Sequence, residues 1–341
     1  MRAAIYNPYL DSLGGGERYT MAFVDVLVKQ GYVVDVEWRD TEIREKLEKR
    51  FGKNFSKVNF VTDIKRGDGY DLCFWVSDGS NPTLRARRNF LHFQVPFHHV
   101  GGVSLLNKMK LFRIEKIICN SNFTKNVIDQ EYGVEGIVIY PPVDVVKFKP
   151  RRKENIIFSM GRFSELKQSK HQDVLVQAFK LLVDEGLADW KLVLAGGSEV
   201  GATELVRRLK KASGGYPIEI VESPSFDYVV DLYGKSRIFW TASGYGENEE
   251  KNPEKVEHFG ISVIEAMAGG EICLAYNAGG YKETVEDGVN GYLWGDIPEL
   301  LKKTKTVLKS PKGTRQIVKK AVEDSKLYSE ERFEKEVKEL L

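Results

Sequence analysis

The 341-residue chain holds only three cysteines, Cys73, Cys119 and Cys273, each alone inside an apolar run. No paired spacing links them, which argues against a disulfide framework and against a zinc site. Charge of one sign is also missing. With 51 Lys and Arg against 49 Asp and Glu, the formal net charge is +2, too weak a field to make nucleic acid the main partner. No apolar run approaches the roughly 18 residues of a spanning helix. The opening residues, Met1 to Pro8, read as a strand entering a turn and lack the apolar core of a secretory signal. The expectation is a soluble, cytoplasmic protein with reduced, buried thiols. Internal repeats, low-complexity tracts and an Asp-x-Asp metal motif are absent as well.

What is present is an alternation of short apolar runs with longer amphipathic ones, the pattern of βα units that build parallel sheets. In a first series, strands are predicted at 2–7, 32–38, 57–61, 70–76, 89–95, 116–120 and 136–140, and helices near 17–30, 42–50, 105–112 and 122–132. The paired prolines of Tyr140-Pro141-Pro142-Val143-Asp144, followed by a charged run, then interrupt the pattern as an interdomain connection would. A second series has strands at 155–160, 191–195, 218–222, 237–241 and 271–276, with helices at 172–185 and 203–212. Terminal helices are expected at 300–308, 315–326 and 329–341, the last with Phe333, Val337, Leu340 and Leu341 on one face. The fold class is α/β, with two doubly wound domains at 1–148 and 149–325 and a terminal segment at 326–341.

The most informative stretch runs from Glu257 to Gly270. Gly260 permits a turn at which backbone N–H groups approach a ligand, and the helix starting near Ile261 points its positive end at that place. A diphosphate is its natural occupant. Glu257 precedes the turn and Glu265 lies about one helical turn beyond it, so the two carboxylates can reach opposite ends of a ligand but cannot face each other as an acid/base pair. Two further loops supply similar chemistry. Gly14-Gly15-Gly16-Glu17-Arg18 follows the first strand and opens the first helix, although a plain tight turn accounts for it equally well. Gly161-Arg162-Phe163-Ser164-Glu165-Leu166-Lys167 follows the first strand of the second series, at the edge where open α/β sheets bind ligands.

The spacing Glu257, seven residues, Glu265 resembles the hallmark of the retaining group 1 glycosyltransferases of the GT-B fold, the family of glycogen synthases, sucrose synthases and many mannosyltransferases. The resemblance implies two Rossmann-like domains facing across a cleft, with nucleotide on the second domain, acceptor on the first, and the final helix crossing back to the first. Carried over, Glu257 contacts the transferred sugar, Glu265 holds the ribose, and the amides of Phe259, Gly260 and Ile261 bind diphosphate and sugar oxygens. Arg162 and Lys167 neutralise the leaving diphosphate, with Lys170 competing for the second role. Gly15 and Gly16 line the cleft, and Asn277-Ala278-Gly279-Gly280 resembles the family's glycine pair after a late strand. His92 stands beside the donor sugar, with His98 and His99 as alternatives.

Several segments look like the GDP-mannose α-1,2-mannosyltransferases of lipid-linked oligosaccharide assembly: Asn7-Pro8-Tyr9 with the glycine loop, Tyr140 to Asp144, Glu257 to Ile261, and Leu274 to Gly280. The chain departs from them in lacking an N-terminal membrane anchor and in carrying an acidic insert at 246–256. The implied activity is transfer of a hexose, mannose favoured, from GDP-mannose or a UDP-sugar to a glycan, lipid-linked or other hydroxyl acceptor, with retention and without a metal. A nucleotide-sugar 2-epimerase of the same architecture and a non-catalytic nucleotide-sugar binder are the alternatives. Basic clusters at Arg85 to Arg88 and at Lys108, Lys110 and Arg113, interleaved with apolar residues, fit either a solvated face or peripheral contact with an anionic inner membrane face.

Overall fold

The computed structural model describes residues 1–40, 42–164, 168–198 and 201–341. The chain divides into two compact units, Met1–Pro142 with Glu330–Leu341, and Val143–Ser329.

The first unit begins β1 (Arg2–Tyr6), α1 (Gly15–Lys29), β2 (Val33–Glu37), α2 (Ile43–Phe51), β3 (Val58–Val61) and β4 (Leu72–Val76). It continues β5 (Arg88–Phe93), α3 (Leu105–Leu111), β6 (Lys116–Cys119), α4 (Asn122–Tyr132) and β7 (Ile137–Val138). Its parallel sheet has the order β3-β2-β1-β4-β5-β6-β7. The strands are short apolar runs because helices cover both faces of such a sheet: Ala3, Ala4, Ile5, Leu72, Cys73 and Phe74 are all fully buried. Tyr19, Phe23 and Leu27 of α1 supply much of the core on one side.

The second unit runs β8 (Glu154–Met160), α5 (Gln172–Asp184), β9 (Lys191–Gly196), α6 (Thr203–Ala212), β10 (Ile218–Glu222), α7 (Phe226–Lys235) and β11 (Ser236–Thr241). Then follow α8 (Ile261–Ala268), β12 (Ile272–Tyr276), α9 (Tyr281–Thr284), β13 (Tyr292–Trp294), α10 (Ile297–Lys309) and α11 (Pro311–Ser325). Its parallel sheet has the order β10-β9-β8-β11-β12-β13. Leu192, Ile238, Trp240, Leu274 and Trp294 meet Leu175 and Phe179 of α5 in its core. The last helix, α12 (Glu330–Leu340), belongs to the first unit.

The units part at Pro142/Val143 and Ser329/Glu330, a few residues from the divisions expected at 148 and 325. The reason is local pairing. Val143 N–H donates to Tyr328 O at 2.9 Å, and Phe148 packs edge-on against Tyr233 at 5.2 Å, so both ends of the second unit are tied into it. Three elements went unread in the sequence: α7, capped by Ser225, whose hydroxyl oxygen accepts from Tyr228 N–H, the three-residue β13 and the single turn α9. All three cysteines are buried and unpaired, and burial pushes the Cys73 thiol up to about 12. Among the described residues no helix is long and apolar enough to cross a membrane.

Candidate functional site

In the second unit the strand order reverses between β8 and β11, which opens a crevice at the carboxyl ends of those strands, where ligands of open α/β sheets bind. The chain fills that edge with polar groups. After β8 the backbone at Arg162 is fixed by Gln172, whose amide donates to Arg162 O at 3.0 Å, and the Arg162 side chain lies exposed there. Further along the same loop Lys170 sends its ammonium to Glu257 Oε2 at 2.8 Å, Gln168 Oε1 at 3.0 Å and Ser243 Oγ at 3.3 Å. Lys170 thereby joins the loop after β8 to the loop after β11 and to the residue before the glycine turn.

Glu257 has a second anchor. The Tyr281 phenol donates to Glu257 Oε2 at 3.2 Å while sharing a 2.6 Å hydrogen bond with the Thr241 hydroxyl. Burial by itself would raise the Glu257 carboxyl, but the Lys170 charge and hydrogen bond outweigh it and hold the group below its ordinary value. Glu257 is therefore a fixed, ionised acceptor. Burial and the Glu257 charge in turn push the Tyr281 phenol well above its usual range, so it remains a donor.

Gly260 caps α8 with φ +97°, a left-handed conformation that a side chain rarely adopts, and a Cβ there would stand 2.6 Å from the Tyr281 ring. Val263 N–H donates to Gly260 O at 3.0 Å, while the amides of Ile261 and Ser262, the first two of α8, precede the helical hydrogen-bond ladder, and Gly260 has no side chain to cap them. They constitute a helix N-terminus suited to an anion. The glycine pair works by close approach: Gly280 N–H donates to Glu257 O at 2.7 Å, and a Cβ on Gly279 would lie 2.1 Å from that same oxygen. The acidic insert also reaches this turn. Glu249 accepts from Gly279 N–H at 2.7 Å and pairs with Lys282.

The expected residues are thus dispersed unevenly. Glu257, Gly260, Ile261 and Arg162 gather on the carboxyl edge of one sheet, and Phe259 is buried beside them, its ring edge-on to Tyr328 at 5.3 Å. Glu265 is 9% exposed, and its charge, after burial, helps hold the Tyr233 phenol up. Lys167 lies outside the described residues. Lys170 and Tyr281, the two partners of Glu257, were not foreseen in these roles: Lys170 is legible in sequence only as a competitor for a phosphate contact, and nothing there signals Tyr281.

His92 requires a correction. It is fully buried between the rings of Tyr19, stacked at 4.1 Å, and Phe74, with Nδ1 3.0 Å from Ile118 O. Burial lowers it to about 3, so it is a neutral core residue rather than a contact for a sugar. The group that reaches the glycine loop is Gln94, two positions on and past the strand end. Its amide donates to Gly16 O at 3.2 Å, and a Cβ on Gly16 would come within 1.7 Å of its Oε1. Gly15 and Gly16 open α1 behind a Glu17 carboxylate that accepts from Gly14 N–H at 2.8 Å and Ser12 Oγ at 2.6 Å. His98 and His99 sit against Glu131, His98 through its ring and His99 through its backbone N–H.

Two doubly wound parallel-sheet domains, the second with an anion-ready helix start at its switch point, define the Rossmann-like class of nucleotide-binding architecture. Residues 143–324, more than half of the chain, match the family model of the glycosyl transferases group 1, and the chain belongs to that family. Among curated proteins it is 32% identical over 156 residues to the GDP-Man:Man(3)GlcNAc(2)-PP-Dol alpha-1,2-mannosyltransferase of Xenopus laevis, covering 42% of this chain and 30% of that protein. It is 27% identical over 229 residues to the alpha-1,3/1,6-mannosyltransferase ALG2 of Saccharomyces cerevisiae, covering 58% of this chain and 44% of that one. The matches therefore span less than half the length of these relatives. Among solved structures, Anabaena Alr3699/HepE in complex with UDP superimposes with a TM-score of 0.77 at 17% identity, covering 100% of this chain and 99% of that one. That likeness shows the GT-B fold.

Proposed function

We propose that the chain is a retaining, metal-independent glycosyltransferase that moves a hexose, with mannose favoured, from a nucleoside diphosphate sugar to a hydroxyl of a glycan or lipid-linked acceptor. It acts on the cytoplasmic side. The observation that carries this reading is the ionised Glu257, clamped by Lys170 and Tyr281 immediately before the turn that opens α8. A carboxylate fixed in this way can accept hydrogen bonds from sugar hydroxyls, and the adjacent helix start can receive the diphosphate. Arg162, exposed on the same edge, neutralises charge that develops on the leaving phosphate, and contacts that strengthen in this way lower the barrier. Glu265, within α8, holds the ribose. Mannose is favoured because the names of the relatives in sequence specify GDP-Man or mannosyl transfer.

Same-face attack, with the leaving phosphate taking the acceptor proton, accounts for retention without a protein nucleophile. The test is incubation of labelled GDP-mannose and UDP-glucose with a panel of glycan and lipid-pyrophosphate acceptors, with and without a chelator, followed by determination of the anomeric configuration of the product. A new α-glycoside formed equally well with chelator is expected. A new sugar nucleotide from donor alone would make the protein an epimerase, and activity abolished by chelator would overturn metal independence.

A further inference from the structure

Six large apolar side chains stand exposed within one short stretch of the first unit, Val100, Val103, Leu105, Leu106, Met109 and Phe112. Phe112 is 91% exposed, Leu105 77% and Met109 66%. A soluble surface seldom concentrates large apolar groups in this way without an interaction to cover them. The stretch is also firmly placed. Glu131 at the end of α4 accepts from the N–H groups of His99 and Val100 at 3.0 Å and of Gly102 at 3.2 Å, and Ser104 caps α3 through Asn107 N–H. Leu111 points inward and joins the cluster of Phe93, Cys119 and Ile128. At about 100° per residue, Leu111 lies roughly opposite the stripe formed by Leu105, Met109 and Phe112.

Charge decides what covers the stripe. From His98 to Ile114 the sequence contains Lys108, Lys110 and Arg113 and no acid. Lys108 flanks the stripe on one side and Arg113 on the other, where their stems can lie along apolar surface while the charged groups reach outward, and Lys110 stands further round the helix. The second basic cluster is differently engaged: Arg87 pairs with Asp71 and Arg88 with Glu115. A second copy of this chain seated symmetrically on the stripe would bring like charges together. We propose that the surface from Val100 to Arg113 docks on an anionic lipid bilayer, with Leu105, Met109 and Phe112 inserted at the headgroup boundary and Lys108 and Arg113 on lipid phosphates. This surface is independent of the transfer chemistry proposed above.

Sedimentation of the full chain with vesicles tests it. Binding is expected to vesicles of phosphatidylcholine with phosphatidylserine, to weaken with salt, and to be lost on phosphatidylcholine alone. Lys108→Gln and Arg113→Gln should each lower partition by about fivefold, and Lys110→Gln by less. The triple variant Leu105→Ser, Met109→Ser, Phe112→Ser should abolish it while leaving thermal unfolding and donor binding unchanged. Failure of the wild type to sediment with anionic vesicles would overturn the proposal, as would equal binding by the serine variant. Self-association that the serine variant removes, without vesicle binding, would assign the surface to a second copy instead.

Discussion

Lys170 and Glu257 form the ion pair on which the residue-scale account turns. Removing the lysine leaves a largely enclosed carboxylate without its main partner, so Lys170→Ala should cost about 2 kcal/mol at neutral pH. Because the folded Glu257 is held below its ordinary 4.5, its contribution is complete above that value and is lost as pH falls through the lower folded value. The stability difference between wild type and Lys170→Ala, followed by denaturant melts, should therefore close in acid. His92 acts over another window. Its folded value of about 3 against an ordinary 6.5 gives a contribution that is full above 6.5 and is lost as pH falls toward 3. His92→Gln should flatten the stability loss over that range and leave donor affinity unchanged; a large drop in donor affinity would return the histidine to the site. Arg162→Ala should reduce turnover by about 10²-fold if its contact contributes roughly 3 kcal/mol at the barrier. The paired glutamates and the glycine between them were legible because they lie within one local motif. The partners of Glu257 were not, since they come from 87 and 24 positions away and only the fold brings them together.

At the scale of elements, α8 depends on a backbone conformation. Gly260→Ala would place a methyl group against Tyr281 at a dihedral suited to glycine, at a cost of about 2–4 kcal/mol, and would displace the first amides of the helix. The expected result is a lower melting temperature together with loss of nucleotide-sugar binding. A variant that melts lower yet binds normally would separate the turn from the ligand. Long elements were the easiest to read. The strands around β1 and β8 are apolar runs, and α6 spans the residues its periodicity implies. The short ones escaped because β13 has three residues and α9 four, too few for a period to appear. His92 was misplaced for a related reason: periodicity gives the face of a strand but not the depth at which its core ends, and here the end falls between His92 and Gln94.

The whole molecule is discontinuous in sequence. The first unit is completed by the last twelve residues, with Phe333 and Val337 buried in its core and Phe333 edge-on to Tyr19 at 5.0 Å. Arg88 holds the chain end by donating to Leu341 O at 2.5 Å and Leu340 O at 2.8 Å. Phe333→Ala should destabilise the first unit by about 3–5 kcal/mol, seen as a shifted denaturant midpoint, and deletion of residues 330–341 should expose its core to dye binding. The apolar face of this helix could be read directly from its sequence, but what it covers could not, because twelve residues carry no record of a partner some three hundred positions earlier. Fold class was legible at this scale because strand and helix alternate throughout both halves.

In this mechanism the start of α8 receives the donor diphosphate. Amide hydrogen exchange of the full chain with and without GDP-mannose is the decisive experiment, since the open amides of Ile261 and Ser262 should slow when an anion accepts from them. Protection is expected there and in the loops carrying Arg162 and Lys170. Protection confined to other segments, with the exchange of α8 unchanged by saturating donor, would contradict it.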